Sequence, residues 1–492
     1  MRDAVLLLFL AAVIVIGGAL FPSQRPASAN SVAAISTGGV HTCALTEAGG
    51  VKCWGDPSHG QLGDNGNCSH ACITPTDVLG LSSGVTAIAA GGHYTCALTT
   101  AGGVKCWGMS SSGQLGNDTT GHPSCDCWPT VVDVVGLTSG VTAIAAGGNH
   151  TCALTTAGGV KCWGLNSRGQ LGDASTDSRS APVDVIGLDS GVTAIAAGGD
   201  HTCALTEAGG VKCWGSNSHG QLGDASTDSR SAPVDVVGLT SGVAAVSAGH
   251  EHTCAVTTAG GVKCWGRNAY GELGNGTSGP YAGSSVPVDV CGQQNALTLK
   301  CVQLLAAKTI SAGAFYTCAV TTADGVKCWG YNIYGRLGDG TRESRTSAVD
   351  VVGLTSGVAA VSASAGGNHT CALTTMSVAK CWGDNGGGQL GTVTGDCTNS
   401  SCSTTPVDVA GLKSASTPAT TSPTQSPTGI LGDVDCNGAV SSVDAALILQ
   451  FAAGLVSSLH CQDLADVNAD GSSNAIDAAL VLQYAAGLKG SL

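Results

Sequence analysis

Two segments near the C-terminus carry oxygen-bearing side chains at the spacing of a calcium-binding loop. They begin at Asp433 and Asp466 and follow the pattern D-x-[DN]-x-[DN]-G-x5-D. Carboxylate, amide, hydroxyl and carbonyl oxygens are the ligands that the hard Ca²⁺ ion prefers, so we expect two Ca²⁺ ions, one in each loop. The predicted ligands are Asp433, Asp435, Asn437, the carbonyl of Ala439, Ser441 and Asp444 in the first loop, and Asp466, Asn468, Asp470, Ser472, Asn474 and Asp477 in the second.

Each loop runs into a helical segment that is apolar nearly all round, "AALILQFAAG" and "AALVLQYAAG". One calcium loop followed by one helix, duplicated, resembles a dockerin. The resemblance implies a small all-α module that folds with calcium and binds a cohesin on a scaffold or cell-surface protein. The expected contact positions hold Ser442, Val443, Ala475 and Ile476, so they carry few of the basic and hydroxyl residues of cellulosomal dockerins. The open alternatives are a calcium-dependent cap and a contact with the chain's own N-terminal domain.

Cysteines recur in pairs ten residues apart, in the unit Cys-x9-Cys-Trp-Gly. If residues 47–49 form a three-residue hairpin loop with Gly49 in the left-handed position, Cys43 lies directly opposite Cys53. Facing β carbons are close enough for a disulfide. The alternative is a zinc site that also uses His41, but it needs further ligands. The seven predicted bridges join Cys43 to Cys53, Cys96 to Cys106, Cys152 to Cys162, Cys203 to Cys213, Cys254 to Cys264, Cys318 to Cys328 and Cys371 to Cys381.

The other cysteines also occur in local pairs, and adjacent pairing is the default prediction. These pairs are Cys68 with Cys72, Cys125 with Cys127, Cys291 with Cys301, Cys397 with Cys402, and Cys436 with Cys461. A bridge across a single residue is strained, so Cys125 and Cys127 have the alternative of bonding Cys68 and Cys72 of the preceding repeat.

The cysteine pairs belong to a longer repeat. A "VTAIAAGG"-like element precedes each pair and a "PVDVVGL"-like element follows it, and all three elements occur seven times. The runs "HTCALT" and "GVKCW" have strand length and composition and are joined by glycine turns. Short strands that repeat about every 50 residues predict a β-propeller of seven blades.

The unit "GGNHTCALTTAGGVKCWGLNSRGQLGD" (residues 147–173) resembles the repeat of the regulator of chromosome condensation family. The resemblance covers residues 31–412 and implies an all-β seven-bladed propeller. Members of the family include a nuclear exchange factor for a small GTPase and secreted bacterial proteins, so the fold alone does not assign a function. We expect each "PVDV" strand to pair with the following blade, so that the last one, at residues 406–409, returns to the first blade and closes the ring.

The repeats show little asymmetry of the kind that a catalytic site needs. His41, His150, His201, His252 and His369 recur at one repeat position, which favours a structural role. The departures are Glu251, Glu272, Tyr331, Tyr334 and Arg336, without a Ser-His-Asp pattern or a phosphate loop. The loops before "PVDV" vary in length, and Trp128 and Tyr281 in these loops are candidate anchors for a partner. These observations favour a binding protein over an enzyme.

The N-terminus predicts export. Arg2 precedes an apolar run over residues 4–20, and "ASA" at residues 27–29 suits cleavage before Asn30; the alternative is an uncleaved anchor helix. A Ser/Thr/Pro-rich linker spans residues 413–430 and the dockerin-like module residues 431–492. The net charge of −14 argues against nucleic-acid binding.

The sequence therefore predicts a secreted, non-enzymatic monomer whose propeller binds a protein or glycan and whose C-terminal module tethers it through calcium. The alternatives are a carbohydrate-active enzyme that degrades polysaccharide in an extracellular complex, and an inhibitor of a secreted enzyme.

Overall fold

The structure is a computed structural model that describes residues 30–66, 71–120, 127–295, 300–393, 396–397, 401–412, 434, 440, 445–449 and 475–485. The predicted signal segment (residues 1–29) and the predicted linker (413–430) lie outside these residues. Contacts between Cα atoms divide the chain into two units, Met1–Ala415 and Ser416–Leu492. Each unit is described by itself.

The first unit is built from seven antiparallel sheets of four strands each, in chain order from the axis outward. The innermost strands are β1 (Val32–Thr37), β5 (Val85–Ala90), β9 (Val141–Ala146), β13 (Val192–Ala197), β17 (Val243–Ala248), β23 (Ala307–Ala312) and β27 (Val358–Ala363). The second strands are β2 (His41–Thr46), β6 (Tyr94–Thr99), β10 (His150–Thr155), β14 (His201–Thr206), β18 (His252–Thr257), β24 (Tyr316–Thr321) and β28 (His369–Thr374).

The outer half of each blade comes from the "VKCWG" and "PVDV" elements. The third strands are β3 (Val51–Gly55), β7 (Val104–Met109), β11 (Val160–Gly164), β15 (Val211–Gly215), β19 (Val262–Gly266), β25 (Val326–Gly330) and β29 (Ala379–Asp384). The outermost strands are β4 (Cys72–Asp77), β8 (Cys127–Asp133), β12 (Arg179–Asp184), β16 (Arg230–Asp235), β20 (Ser284–Asp289), β26 (Arg345–Asp350) and β30 (Cys402–Asp408). A separate hairpin of β21 (Cys291–Gln294) and β22 (Cys301–Leu304) follows blade 5. The predicted seven-bladed propeller is therefore confirmed.

The hairpin between the second and third strands has the predicted register. Cys43 pairs with Cys53 across β2 and β3, and their Cα atoms are 4.1 Å apart. Gly49 supplies the left-handed turn position, with φ of 78°. All seven blades carry this bridge. Cys291 bonds Cys301 and Cys397 bonds Cys402, also as predicted.

Four other predicted cysteine partners cannot be placed from the described residues. Cys72 and Cys127 are disulfide-bonded, while Cys68 and Cys125 lie outside the described part of the chain. Cys436 and Cys461 also lie outside it. The pairing of these cysteines stays a prediction.

Buried tryptophans join neighbouring blades. The indole N–H of Trp107 in blade 2 donates to the carbonyl of Gln61 in blade 1, at 2.9 Å. Gly63 packs against the same ring, and a β carbon there would lie 3.0 Å from two of its atoms. The corresponding tryptophan is fully buried in every blade and makes the same contact to the blade before it. This contact explains why "CWG" and "QLG" recur together.

The expected ring closure by strand exchange is wrong. The last strand, β30, pairs with β29 of its own blade, and β1 pairs only with β2, so every blade is made from one contiguous stretch of chain. Blades 7 and 1 are joined by side chains instead, because Trp54 donates to the carbonyl of Gln389 at 2.9 Å, as at every other interface. The hydroxyls of Thr37 and Ser362 also lie 2.9 Å apart there.

The second unit contains the helix α1 (Ala475–Ala485), and residues 445–449 are also helical. A small core of Val434, Ala445, Ile448, Ala478 and Val481 is fully buried. Leu449 and Leu482 occupy equivalent positions in the two repeats, and each is 42% exposed. The duplicated helices therefore bury one face and present the same leucine on the other.

Candidate functional site

The recurring histidines have a structural role that their contacts explain. His41 in blade 1 places its Nε2 atom 2.8 Å from the hydroxyl of Thr95 in blade 2. The other four histidines make the same contact to a threonine of the next blade. Tyr94 and Tyr316 replace histidine in blades 2 and 6, and each accepts a hydrogen bond from the corresponding threonine and donates one to a backbone carbonyl of the next blade.

Burial keeps these histidines neutral. It lowers the pKa of His41 to about 3, with nearby histidines adding to the shift, and the pKa of His150 to about 4. Thr202 donates its hydroxyl hydrogen to the carbonyl of Gln170, so the hydroxyl oxygen must accept from the Nε2–H of His150. Each histidine is thereby held as one tautomer in a buried interface, and these residues serve the packing of neighbouring blades.

The blade repeats differ mainly on one face of the propeller. One variable position lies two residues before the Gln of "GQLG" or the residue that replaces it. The other lies in the next blade, directly before the recurring histidine or the tyrosine that replaces it. We call each such combination an interface pair. The pairs are His59 with His93, Ser112 with Asn149, Arg168 with Asp200, His219 with Glu251, Tyr270 with Phe315, Tyr334 with Asn368, and Gly387 with Val40.

The two members of several pairs are in contact. The rings of His59 and His93 have centroids 4.8 Å apart, and His219 Nε2 lies 3.6 Å from a carboxylate oxygen of Glu251. Tyr270 and Phe315 meet edge-on with centroids 6.2 Å apart. We identified Glu251 and Tyr334 from the sequence as departures from the repeat but did not match them with residues of the neighbouring blade. An alignment of the seven repeats column by column carries the signal, since these columns vary between nearly invariant neighbours.

Blades 5 and 6 concentrate large side chains at this face. We call the group of Arg267, Tyr270, Phe315, Tyr331, Tyr334 and Arg336 the arginine–aromatic cluster. Tyr270 stacks on Tyr331 with centroids 4.2 Å apart. The guanidinium of Arg267 lies 4.7 Å from the centroid of Phe315, within cation–π range. Tyr270 is 36% exposed and Tyr334 41%, so the cluster reaches solvent.

Arg336 departs most clearly from the repeat. Blades 1, 2, 3, 4 and 7 have Gln at this position, and its Oε1 accepts the backbone N–H two residues earlier. Arginine has no acceptor. Arg336 is nevertheless buried, with Nε and Nη1 lacking hydrogen-bond partners, and its guanidinium lies 4.8 Å from the centroid of Tyr331 and 5.5 Å from that of Tyr334. A buried guanidinium whose Nε and Nη1 atoms lack hydrogen-bond partners costs stability.

Glu251 and Glu272 both contact Arg267. Glu272 is fully buried and accepts the N–H of Tyr270 at 2.7 Å, and burial raises its pKa. Arg267 bonds to Glu251 and lies 3.5 Å from Glu272. The two carboxyl groups therefore hold Arg267 in place.

Of the two predicted partner anchors, Trp128 lies in strand β8 and not in a loop as expected, whereas Tyr281 lies in the loop before β20. Tyr281 is 98% exposed, whereas Trp128 is half-buried and packs against the hydrophobic cluster of blades 2 and 3. The predicted calcium ligands up to and including Asn474, together with Ser442 and Val443, lie outside the described residues. Ala475, Ile476 and Asp477 begin α1, but their side chains are not described.

The protein is thus a seven-bladed propeller whose blades share nearly the same packing contacts and differ in the interface pairs on one face. The family model of the RCC1-like domain matches residues 18–305 and, in an overlapping alignment, 141–441. The chain belongs to the RCC1-like domain family. The dockerin type I domain model matches residues 431–485, so the C-terminal module is a dockerin domain.

Curated relatives share the propeller. The ultraviolet-B receptor UVR8 of Arabidopsis thaliana is 30% identical over 363 residues, which are 73% of this chain and 78% of that protein. The human E3 ubiquitin-protein ligase HERC2 is 31% identical over 72% of this chain, but the match spans only 7% of HERC2. Yeast RCC1 (Prp20), solved bound to Kap60, superposes with a TM-score of 0.62 at 20% identity, covering 80% of this chain and 90% of that one. This last likeness shows the fold alone.

Dockerin type I domains generally bind calcium and cohesins. The match to this family and the nine disulfides between described residues point to an extracellular protein. Among the described helices, none is long and apolar enough to cross a membrane.

Proposed function

We propose that the chain is a secreted binding protein with two separate recognition surfaces. The propeller recognises an extracellular protein or glycan through the arginine–aromatic cluster, and the dockerin domain tethers the chain through calcium to a cohesin-bearing scaffold or cell-surface protein. We also propose that the propeller spans residues 31–412 and the dockerin domain residues 431–492, and that residues 413–430 form a linker between them.

The observation that carries the propeller's role is the burial of Arg336 among Tyr316, Tyr331 and Tyr334, at a position where blades 1, 2, 3, 4 and 7 keep glutamine. Tyr and Arg are the residue types that dominate binding energy at protein interfaces. Stacked rings that are already packed lose little side-chain entropy when a partner binds. This composition favours a protein partner over a glycan.

Two observations support the tether. The donor set of the predicted loops consists of oxygen atoms, which suit Ca²⁺. The equivalent leucines Leu449 and Leu482 are each 42% exposed on the helical module. Exposed leucines at matching positions give the module an apolar surface for a partner, and we propose that Ser442, Val443, Ala475 and Ile476 contribute to it.

The test of the propeller surface compares two double variants of the full chain. Tyr331→Ala/Tyr334→Ala removes two rings of the cluster, and the matched control Leu165→Ala/Arg168→Ala changes the same two repeat positions in blade 3. The bait is incubated with the producing organism's secreted fraction under chelator, and the affinity of the recovered partner is then measured by calorimetry. We expect at least a tenfold loss for the tyrosine variant and little change for the control. Equal affinity of the two variants would contradict the proposal.

A further inference from the structure

A second group of ligating side chains lies on the same face, away from the arginine–aromatic cluster. One carboxylate oxygen of Asp56 and one nitrogen each of His59 and His93 lie within 4.8 Å of one another. His59 and His93 form the interface pair of blades 1 and 2, and Asp56 directly follows the Trp-Gly dipeptide of blade 1. All three side chains are half-buried, so the group is partly enclosed by protein and still accessible to solvent.

We propose that Asp56, His59 and His93 form a binding site for a divalent transition-metal ion such as Zn²⁺. Two imidazoles and one carboxylate are a donor set that suits borderline ions of this kind and not the hard Ca²⁺ ion. Zinc–ligand bonds of about 2.0–2.2 Å require donor atoms roughly 3.5 Å apart, so small side-chain rotations close the site. Three protein ligands leave at least one coordination position for water or for a partner's side chain.

The contacts around His59 prepare it as a ligand. The Ser58 hydroxyl donates to Asp56 Oδ2 at 2.7 Å, so its oxygen is left to accept the N–H of His59 Nδ1 at 3.0 Å. The Nε2 atom of His59 then carries the free lone pair. Ligating histidines generally have their other ring nitrogen fixed in this way by a neighbouring polar group.

His93 is also available to a metal. Its Nδ1 atom is buried and has no hydrogen-bond partner. An imidazole with an unpaired buried nitrogen gains a partner when a cation binds.

The same loop in blade 4 shows what distinguishes the site. The hexapeptide "SHGQLG" occurs at residues 58–63 and again at 218–223. In the second copy Ser216 stands at the Asp56 position, and Glu251, which replaces His93, is already bonded to Arg267. The blade 4 copy thus keeps His219 in the same loop but lacks the other two ligands of the proposed site. His219 therefore provides a matched control.

The test measures Zn²⁺ binding to the tag-free full chain in excess Ca²⁺, by equilibrium dialysis with metal analysis. The variants His59→Ser, His93→Asn and Asp56→Ser use residues that other blades carry at these positions, and His219→Ser is the control. We expect one Zn²⁺ per chain for the wild type and the control. The His59 and His93 variants should bind at least tenfold more weakly, since even outer-shell changes cost ten- to a hundredfold.

A second readout is the visible absorption of bound Co²⁺, which should disappear in the two histidine variants while their near-ultraviolet circular dichroism matches the wild type. Three results would overturn the proposal: no stoichiometric Zn²⁺ on the wild type, equal affinity in the His59 and His93 variants, or an equal loss in His219→Ser.

Discussion

The Nε2 atom of His369 lies 2.8 Å from the hydroxyl of Thr42, although 327 residues separate them in the chain. This hydrogen bond joins blade 7 to blade 1. The same histidine–threonine contact joins blades that are consecutive in sequence, for example His201 and Thr253 at 2.9 Å. The ring therefore closes with the interactions of an ordinary blade interface.

Replacing Thr42 by Val should destabilise the propeller. The Thr42 hydroxyl bonds both His369 and the carbonyl of Gln389, so valine leaves two buried polar groups without this partner. We expect the free energy of unfolding to fall by about 1–3 kcal/mol. Thr253→Val is the matched control at an interface between consecutive blades, and it should cost a similar amount in urea denaturation. A wild-type midpoint for Thr42→Val would show that the closing interface carries no stability.

Acid should weaken the propeller through its buried histidines. The folded-state pKa of His201 is lowered to about 3, whereas the unfolded value is near 6.5. Between these values the unfolded state binds more protons, so stability rises with pH and is lost as the pH falls from about 6.5 towards 3. The melting temperature should fall steeply in this window.

His201→Tyr should reduce this acid sensitivity, because tyrosine occupies the same position in blades 2 and 6 and does not titrate there. His219→Tyr, at a site 41% exposed, is the control for the substitution itself, because it leaves all five buried histidines in place. Identical profiles for wild type and His201→Tyr would refute the linkage.

Arg336→Gln should stabilise the propeller. Glutamine restores the repeat contact to the backbone N–H two residues earlier and removes a buried charge. Substitutions towards a consensus residue typically add about 0.5–2 kcal/mol. The reverse change in blade 4, Gln221→Arg, should destabilise the fold, since it introduces an unpaired guanidinium. Thermal denaturation measures both, and a lower melting temperature for Arg336→Gln would mean that Arg336 contributes to folding.

Removing one hairpin bridge should lower stability without changing the fold. Cys203→Ala/Cys213→Ala removes a bridge between residues that are 10 apart in sequence. Loss of a loop of this length costs about 2–3 kcal/mol in the chain-entropy model. Urea denaturation gives the change, and circular dichroism of the native state checks the fold. An unchanged midpoint would show that blade packing alone holds the hairpin.

The sequence predicts the blades well because each blade is specified by residues that lie close together in the chain. The register of Cys43 and Cys53 follows from the turn at Gly49, and the seven-fold repetition fixes the number of blades. Ring closure was mispredicted because a strand at residues 402–408 makes the same backbone hydrogen bonds whichever blade it joins. The sequence pattern does not distinguish the two arrangements.

The candidate sites depend on contacts between blades, which local patterns do not contain. Tyr270 and Tyr331 are 61 residues apart and belong to different blades, yet their rings stack. These rings meet only because blades 5 and 6 pack against each other in one particular position and orientation. The same holds for His59 and His93, which meet only across the interface of blades 1 and 2.

The most direct test of the account is calcium-dependent capture with the full chain as bait. The wild type and Asp433→Ala/Asp466→Ala are incubated with the producing organism's secreted and envelope fractions, with Ca²⁺ or with chelator. We predict a cohesin-bearing protein that the wild type recovers only with Ca²⁺ and the variant does not recover, together with a second partner that both baits recover under either condition. Recovery of the same partners by both baits, regardless of calcium, would contradict the assignment of tethering to the dockerin domain.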